Sequence, residues 1–94
     1  MYVLAEEVEL HLPHAQSLKD KRQVVKSIIE GVRRRFGISA AEVARQDSWQ
    51  RACLGFAVVS SSASQAEGVL DDVDRFVWSR HEVEVLSADR TWLE

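Results

Sequence analysis

Apolar and polar positions alternate along this chain with two different periods, and the changes of period mark out six elements. Residues 2–12 open on Tyr2-Val3-Leu4-Ala5 and then alternate, with Val8, Leu10 and Leu12 on one face and Glu7, Glu9 and His11 on the other. That pattern predicts a strand, ended by Pro13. Glu6 falls on the Val8 face, so the two halves read as out of phase, with a bulge or twist near residues 5–7. Ser17 followed by Asp20 resembles a capping box with a shortened acid and sets a helix start. Leu18, Val25, Ile29, Val32 and Phe36 then recur at helical spacing as far as Gly37, a residue suited to a left-handed helix end.

Ile38 to Gln46 predicts a short strand of small residues, and residues 47–50 supply a tight connection. The run Ala52 to Val59 is almost continuously apolar, as expected of an interior strand buried on both faces, and the short link makes the two strands a hairpin. Ser64 and Glu67 form a second capping signature ahead of Ala66, Val69, Leu70, Val73, Phe76 and Val77, the clearest helical stripe in the chain. Val83 to Leu86 begins a last strand that reaches toward Trp92 and Leu93. The order β-α-β-β-α-β predicts an α+β, ferredoxin-like domain: an antiparallel sheet with both helices on one face. Such a sheet leaves its other face bare, whereas the 52–59 run reads as buried on both sides. A homo-oligomer would cover that face; alternatively, small residues such as Ala52, Cys53 and Gly55 tolerate water there.

Length and composition narrow the class. Ninety-four residues suit a single domain, 1–94, and 46% hydrophobic with 29% charged residues is a globular composition. One cysteine, Cys53, excludes a disulfide scaffold and a zinc ribbon and fits a reducing, cytoplasmic setting. No apolar stretch is long enough for a membrane helix, and Glu6, Glu7 and Glu9 stand where an export signal would be basic and then apolar. Arginine outnumbers lysine nine to three, as both a hot habitat and a GC-rich genome would produce.

The net charge of −3 argues against uniform coating of nucleic acid, yet the charge is unevenly spread. Residues 17–36 hold seven basic groups against two acids, and residues 62–94 hold three against eight. Lys19, Arg22, Lys26 and Arg33 project into one narrow sector of the first helix, beside its apolar stripe. That sector would meet RNA phosphates, or would only solvate the helix and pair with its acidic neighbour. Trp49-Gln50-Arg51 at the hairpin is a second candidate. The indole and guanidinium would stack on a base or hold an anion; structurally, Trp49 would instead fold onto the core or anchor a dimer while Arg51 pairs with Asp47.

Other chemistry is thinly represented. Gly55-Phe56-Ala57-Val58-Val59 partly echoes the third strand of RNA-recognition domains, but Leu54 and Val58 replace the basic and aromatic positions. Glu7, Glu9 and His11 share a strand face without a second histidine cluster to complete a metal site. Cys53 lies in an apolar run where a thiol is inert, and Pro13-His14-Ala15-Gln16 is not an anion-cradling glycine turn. Neither catalytic residues nor a cofactor or metal is expected.

Three segments carry a family resemblance: Ser17 to Ser27 (SLKDKRQVVKS), Phe36 to Val43, and Gln46 to Gly55 with its DSWQRACLG run. Together they resemble the bacterial YlxP-like family over nearly the whole chain. Gly37 stands where many members have Asn, and both residues suit a left-handed helix end. The resemblance implies a small ferredoxin-like domain of unknown function, with no established catalytic residues. It also implies a gene often placed among translation and ribosome-maturation genes, near those for an initiation factor and ribosome-binding factor A. The expectation is a non-enzymatic, cytoplasmic accessory protein of translation or ribosome maturation. It would contact rRNA or a ribosomal partner through Lys19, Arg22, Lys26 and Arg33, with Trp49, Gln50 and Arg51 as a docking element. The alternative is a homo-oligomeric module holding a small anionic ligand near Arg51 in an intersubunit cleft.

Overall fold

The structure, a computed structural model, describes all residues, 1–94. Its elements are β1 (Tyr2–His11), α1 (Leu18–Phe36), β2 (Ser39–Ala44), β3 (Arg51–Ser60), α2 (Ala63–Trp78) and β4 (Glu84–Trp92). The strands form one antiparallel sheet in the order β2-β3-β1-β4. This is the predicted α+β, ferredoxin-like arrangement. No helix is long and apolar enough to cross a membrane.

The core lies between the sheet and the two helices. Leu4, Val8, Leu10 and Leu12 of the first strand and its extension meet Ala52, Leu54, Phe56 and Val58 of β3 beneath Val25, Ile28 and Val32 of α1 and Leu70, Val73 and Val77 of α2. β1 pairs with β3 without interruption from Tyr2 to His11, so the expected irregularity near residues 5–7 is absent. Leu4, Glu6 and Val8 are in phase, and Glu6 is a buried member of the helix-facing row. A register shift does occur, but against β4, between Glu9 and Leu10. The strand tolerates Glu6 because Arg90 of β4 donates Nε to its Oε2 at 2.8 Å, and Arg90 Nη2 reaches Asp71 and Asp74 of α2 at 2.8 and 2.9 Å.

Helix ends follow local chemistry. Ser17 Oγ accepts from the backbone N–H of Asp20 at 3.0 Å, while Asp20 Oδ2 accepts from Gln16 N at 3.0 Å, a shortened capping box reaching one residue further back. Gly37 takes φ 63°, and its N–H closes on Arg33 O. The second helix starts two residues before the Ser64-Glu67 signature: Ser62 caps it, accepting from Gln65 N. The serine run offers several Ser-x-x-acceptor frames, and Ser60 favours the earlier one by accepting from Ser62 N at 3.0 Å. The helices approach closely at Gly31, where a Cβ would lie 2.6 Å from the tip of the Phe76 ring.

The 52–59 run is buried on one face and only partly on the other. Ala52, Leu54, Phe56 and Val58 are buried under the helices; on the open face Cys53 is buried, Gly55 and Ala57 are half-buried and Val59 is 67% exposed.

Candidate nucleic-acid interface

Lys19, Arg22, Lys26 and Arg33 all stand exposed on α1. Arg22, Lys26 and Arg33 line a groove of about 540 Å³ between this helix and the edge strand β2, closed beneath by the buried Val25 and Ile29. Arg33 is anchored there: its Nη2 donates to Ala40 O at 2.5 Å, which also blunts the free edge of β2. The acids of α2 do not neutralise this face, since Asp71 and Asp74 bind Arg90 and Asp72 binds Arg75. Within α1, Lys26 reaches Glu30 only at 4.0 Å, an exposed pair of little strength.

Lys21, between these cations in sequence, has a different role. Its side chain is fully buried, and its ammonium meets Glu42 Oε2 at 2.7 Å, Arg45 O at 2.6 Å and Gln46 O at 3.4 Å. The two carbonyls accept hydrogen bonds from the ammonium, and the Glu42 carboxylate beside it supplies the opposite charge that a buried cation needs. The contact ties the β2–β3 loop to the N-terminal end of α1. Arg45 adopts φ 63°, a conformation uncommon outside glycine and asparagine; Lys21 holds its carbonyl, and its Nε donates to Glu9 Oε2 at 2.8 Å. At the other end of the loop, Gln50 Nε2 donates to Pro13 O at 3.3 Å and Ala15 O at 3.1 Å, and Gln50 O accepts from Leu12 N at 2.9 Å.

Trp49 therefore sits on a loop fastened at three points, and it is 55% exposed instead of folding onto the core. Gln50, expected at an interface, spends its amide donors on holding the loop. Arg51 is placed on the sheet face away from the helices, paired with Glu9 Oε2 at 3.5 Å and not with Asp47. The loop thus bridges the two faces: Lys21 joins it to the N-terminal end of α1, while Arg45 shares Glu9 with Arg51 on the sheet face away from the helices. Burial opposes ionisation of Glu9, but hydrogen bonding and charge from Arg45, with Arg51 nearby, outweigh it and hold the carboxyl below its usual range. Cys53 is pushed the opposite way by burial and by Glu9, which keeps the thiol protonated and unreactive.

Lys21 was the residue the charge count concealed. At about 100° per residue it falls between Ile28 and Val32, in the middle of the apolar stripe, so the helical wheel carried a signal that counting charges did not.

The sequence matches the profile of a family described as "Protein of unknown function (DUF503)" over residues 3–90. The chain belongs to the DUF503 family. A relative from Bacillus subtilis (strain 168), "Uncharacterized protein YlxP", is 41% identical over 86 residues, covering 92% of this chain and 94% of the relative. The YlxP-like resemblance is thereby established for almost all of the domain. Among solved structures, the solution NMR structure of a de novo designed protein with a ferredoxin fold, LFR1 1, superposes with a TM-score of 0.65. It covers 100% of this chain and 87% of its own at 15% identity, a likeness of fold alone. For the DUF503 chain the geometry adds that two family-like segments meet in space: Lys21 of the first binds the backbone of the loop that opens the second.

Proposed function

We propose that this protein is a non-catalytic, cytoplasmic RNA-binding accessory factor of translation or ribosome maturation, and that the exposed face of α1 contacts rRNA. The observation that carries the reading is the exposed row Lys19, Arg22, Lys26 and Arg33, which the acids of α2 leave without partners. Counterion release on meeting phosphates is the driving force such a row supplies. Trp49, solvent-exposed on the loop that Lys21 fastens to the N-terminal end of the same helix, adds a surface on which a base can stack. The acidic remainder of the molecule repels RNA elsewhere and confines contact to this side. The setting in translation rests on the gene neighbourhood that the family resemblance implies. Co-sedimentation with ribosomal subunits and with rRNA fragments at low salt tests the reading. Wild type is expected to bind, and Lys19→Glu/Lys26→Glu to bind far less; absence of binding, or binding indifferent to the reversal, contradicts it.

A second reading has its own observation. The open sheet face exposes Val43 and Val59 beside half-buried Ala57 and Gly55, an apolar strip that a second copy of the chain would cover. Light scattering across a wide concentration range decides it: a constant monomer mass counts against self-association. Glu9 opposes an anionic ligand at Arg51, since its Oε2 lies 3.5 Å from the Nη2 of that guanidinium.

A further inference from the structure

We infer that this protein pairs with a second copy of itself along the outer edge of β4, a surface separate from both the α1 cations and the open sheet face. The two β4 strands run antiparallel about a twofold axis and join the four-stranded sheets into one. The two edges of the sheet are not alike. On β2 and the loop after it, side chains already hold carbonyls: Arg33 binds Ala40 O, and Lys21 binds Arg45 O and Gln46 O. On β4 no side chain does so. Leu93 N donates to Val3 O at 2.8 Å, so by the alternation of antiparallel pairing Trp92, Arg90 and Ala88 turn their N–H and C=O groups outward. The strand holds neither the lysine nor the proline that commonly guards such an edge, and its register shift lies before Ser87, leaving Ser87 to Trp92 regular.

The helical layer also stops short of this edge. Ala88 and Trp92 lie on the helix-facing row, opposite Val8 and Leu4 of β1, yet both are exposed where Val8 and Leu4 are buried. Trp78, 65% exposed, stands on the flank of α2 toward β4, four residues after Asp74 and seven after Asp71, the acids that hold Arg90. Leu86, left unpaired by the register shift, is exposed as well. A twofold partner sets a second copy of these apolar side chains beside the first and gives each outward N–H a carbonyl. The charges of the strand suit its own copy in one register. Centring the pair on Asp89 or Arg90 would set like charges directly opposite. Centring it on the small Ala88 sets Asp89 against Ser87 and Arg90 against Leu86, with Glu84 of the other copy on the diagonal from Arg90 and the two Asp89 carboxylates only at diagonal distance. A foreign strand would need recesses for its alternate side chains, and Ala88, Arg90 and Trp92 line none of the five larger cavities.

Sedimentation velocity and light scattering on the full chain, across a wide concentration range, test the pairing. Wild type is expected to reach the mass of two chains. Ala88→Lys puts two ammonium groups on the axis, and Ala88→Pro removes an outward donor without breaking a bond to β1; each should weaken association at least about tenfold. Val59→Glu, on the open sheet face, should leave it unchanged. Ala88→Cys gives a direct reading of register. On the axis the two Cα atoms lie about 5.5 Å apart, within disulfide reach, so mild oxidation should link the copies covalently. Wild type, whose Cys53 is buried, should not cross-link. If Ala88→Pro proves unfolded by circular dichroism, the exposed Ala88→Lys and the cross-link decide. Monomers at every concentration, a dimer that survives Ala88→Lys, a dimer that Val59→Glu abolishes, or failure of Ala88→Cys to cross-link each overturn the inference, and each leaves the RNA-binding reading of α1 standing.

Discussion

Lys19 and Lys21 stand two positions apart in one basic run, and their replacements should differ by an order of magnitude in stability. Lys21→Met strands Glu42 and the carbonyls of Arg45 and Gln46 in a buried site. The expected loss is about 3–5 kcal/mol in urea denaturation. Lys19→Ala removes an exposed side chain and should stay within about 0.5 kcal/mol. Equal effects of the two would show that the buried ammonium is not what fastens the loop. Glu6 makes the second prediction at this scale. Burial, then the neighbouring Asp74, raise its carboxyl to about 7, against the opposing pull of Arg90. One guanidinium faces three carboxylates here, Glu6, Asp71 and Asp74, so the cluster retains a proton that the unfolded chain, with Glu6 near 4.5, has released. The folded form binds more protons across this window, so the stabilisation by the proton is complete below about 4.5 and is lost as pH rises through about 7. Wild-type stability should therefore fall by roughly 3 kcal/mol or less between pH 5 and 8. Glu6→Gln should flatten that dependence in urea midpoints measured at each pH; the same slope in both proteins would contradict the assignment.

Among the elements, the helices and the strand order were legible because period and capping are local properties. Ser17, Asp20 and Gly37 bounded α1 correctly since their hydrogen bonds and backbone angles involve only neighbours. Gly37→Ala should lower stability by about 1 kcal/mol, because a Cβ in the left-handed region meets the adjacent carbonyl. No change in denaturation midpoint would mean that the helix end is not held at this residue. What the sequence did not disclose depended on partners distant in the chain. Glu6 read as a break in phase because its counterion, Arg90, lies on β4 at the far end of the sequence. Gln50 read as an interface residue because its acceptors, Pro13 O and Ala15 O, belong to a loop that only folding brings near. The capping frame of α2 was ambiguous for the opposite reason: too many serines offered the same local chemistry.

The whole molecule is electrically divided. Its net charge of −3 conceals a basic run over residues 17–36 and an acidic one over residues 62–94, and the fold keeps them from cancelling. The acids of α2 turn to Arg90 and Arg75, leaving the cations of α1 toward solvent. One positive charge of that run, Lys21, is internal, so the face available to a partner is smaller than the sequence count suggests. The central claim, that this face binds RNA through phosphate contacts, is tested most directly by the salt dependence of binding to an rRNA fragment. Four contacts to unpaired RNA predict that log K falls with log salt at a slope of about −3, and Lys19→Gln/Lys26→Gln should halve it. A slope near zero, or one unchanged in the double variant, would contradict the account.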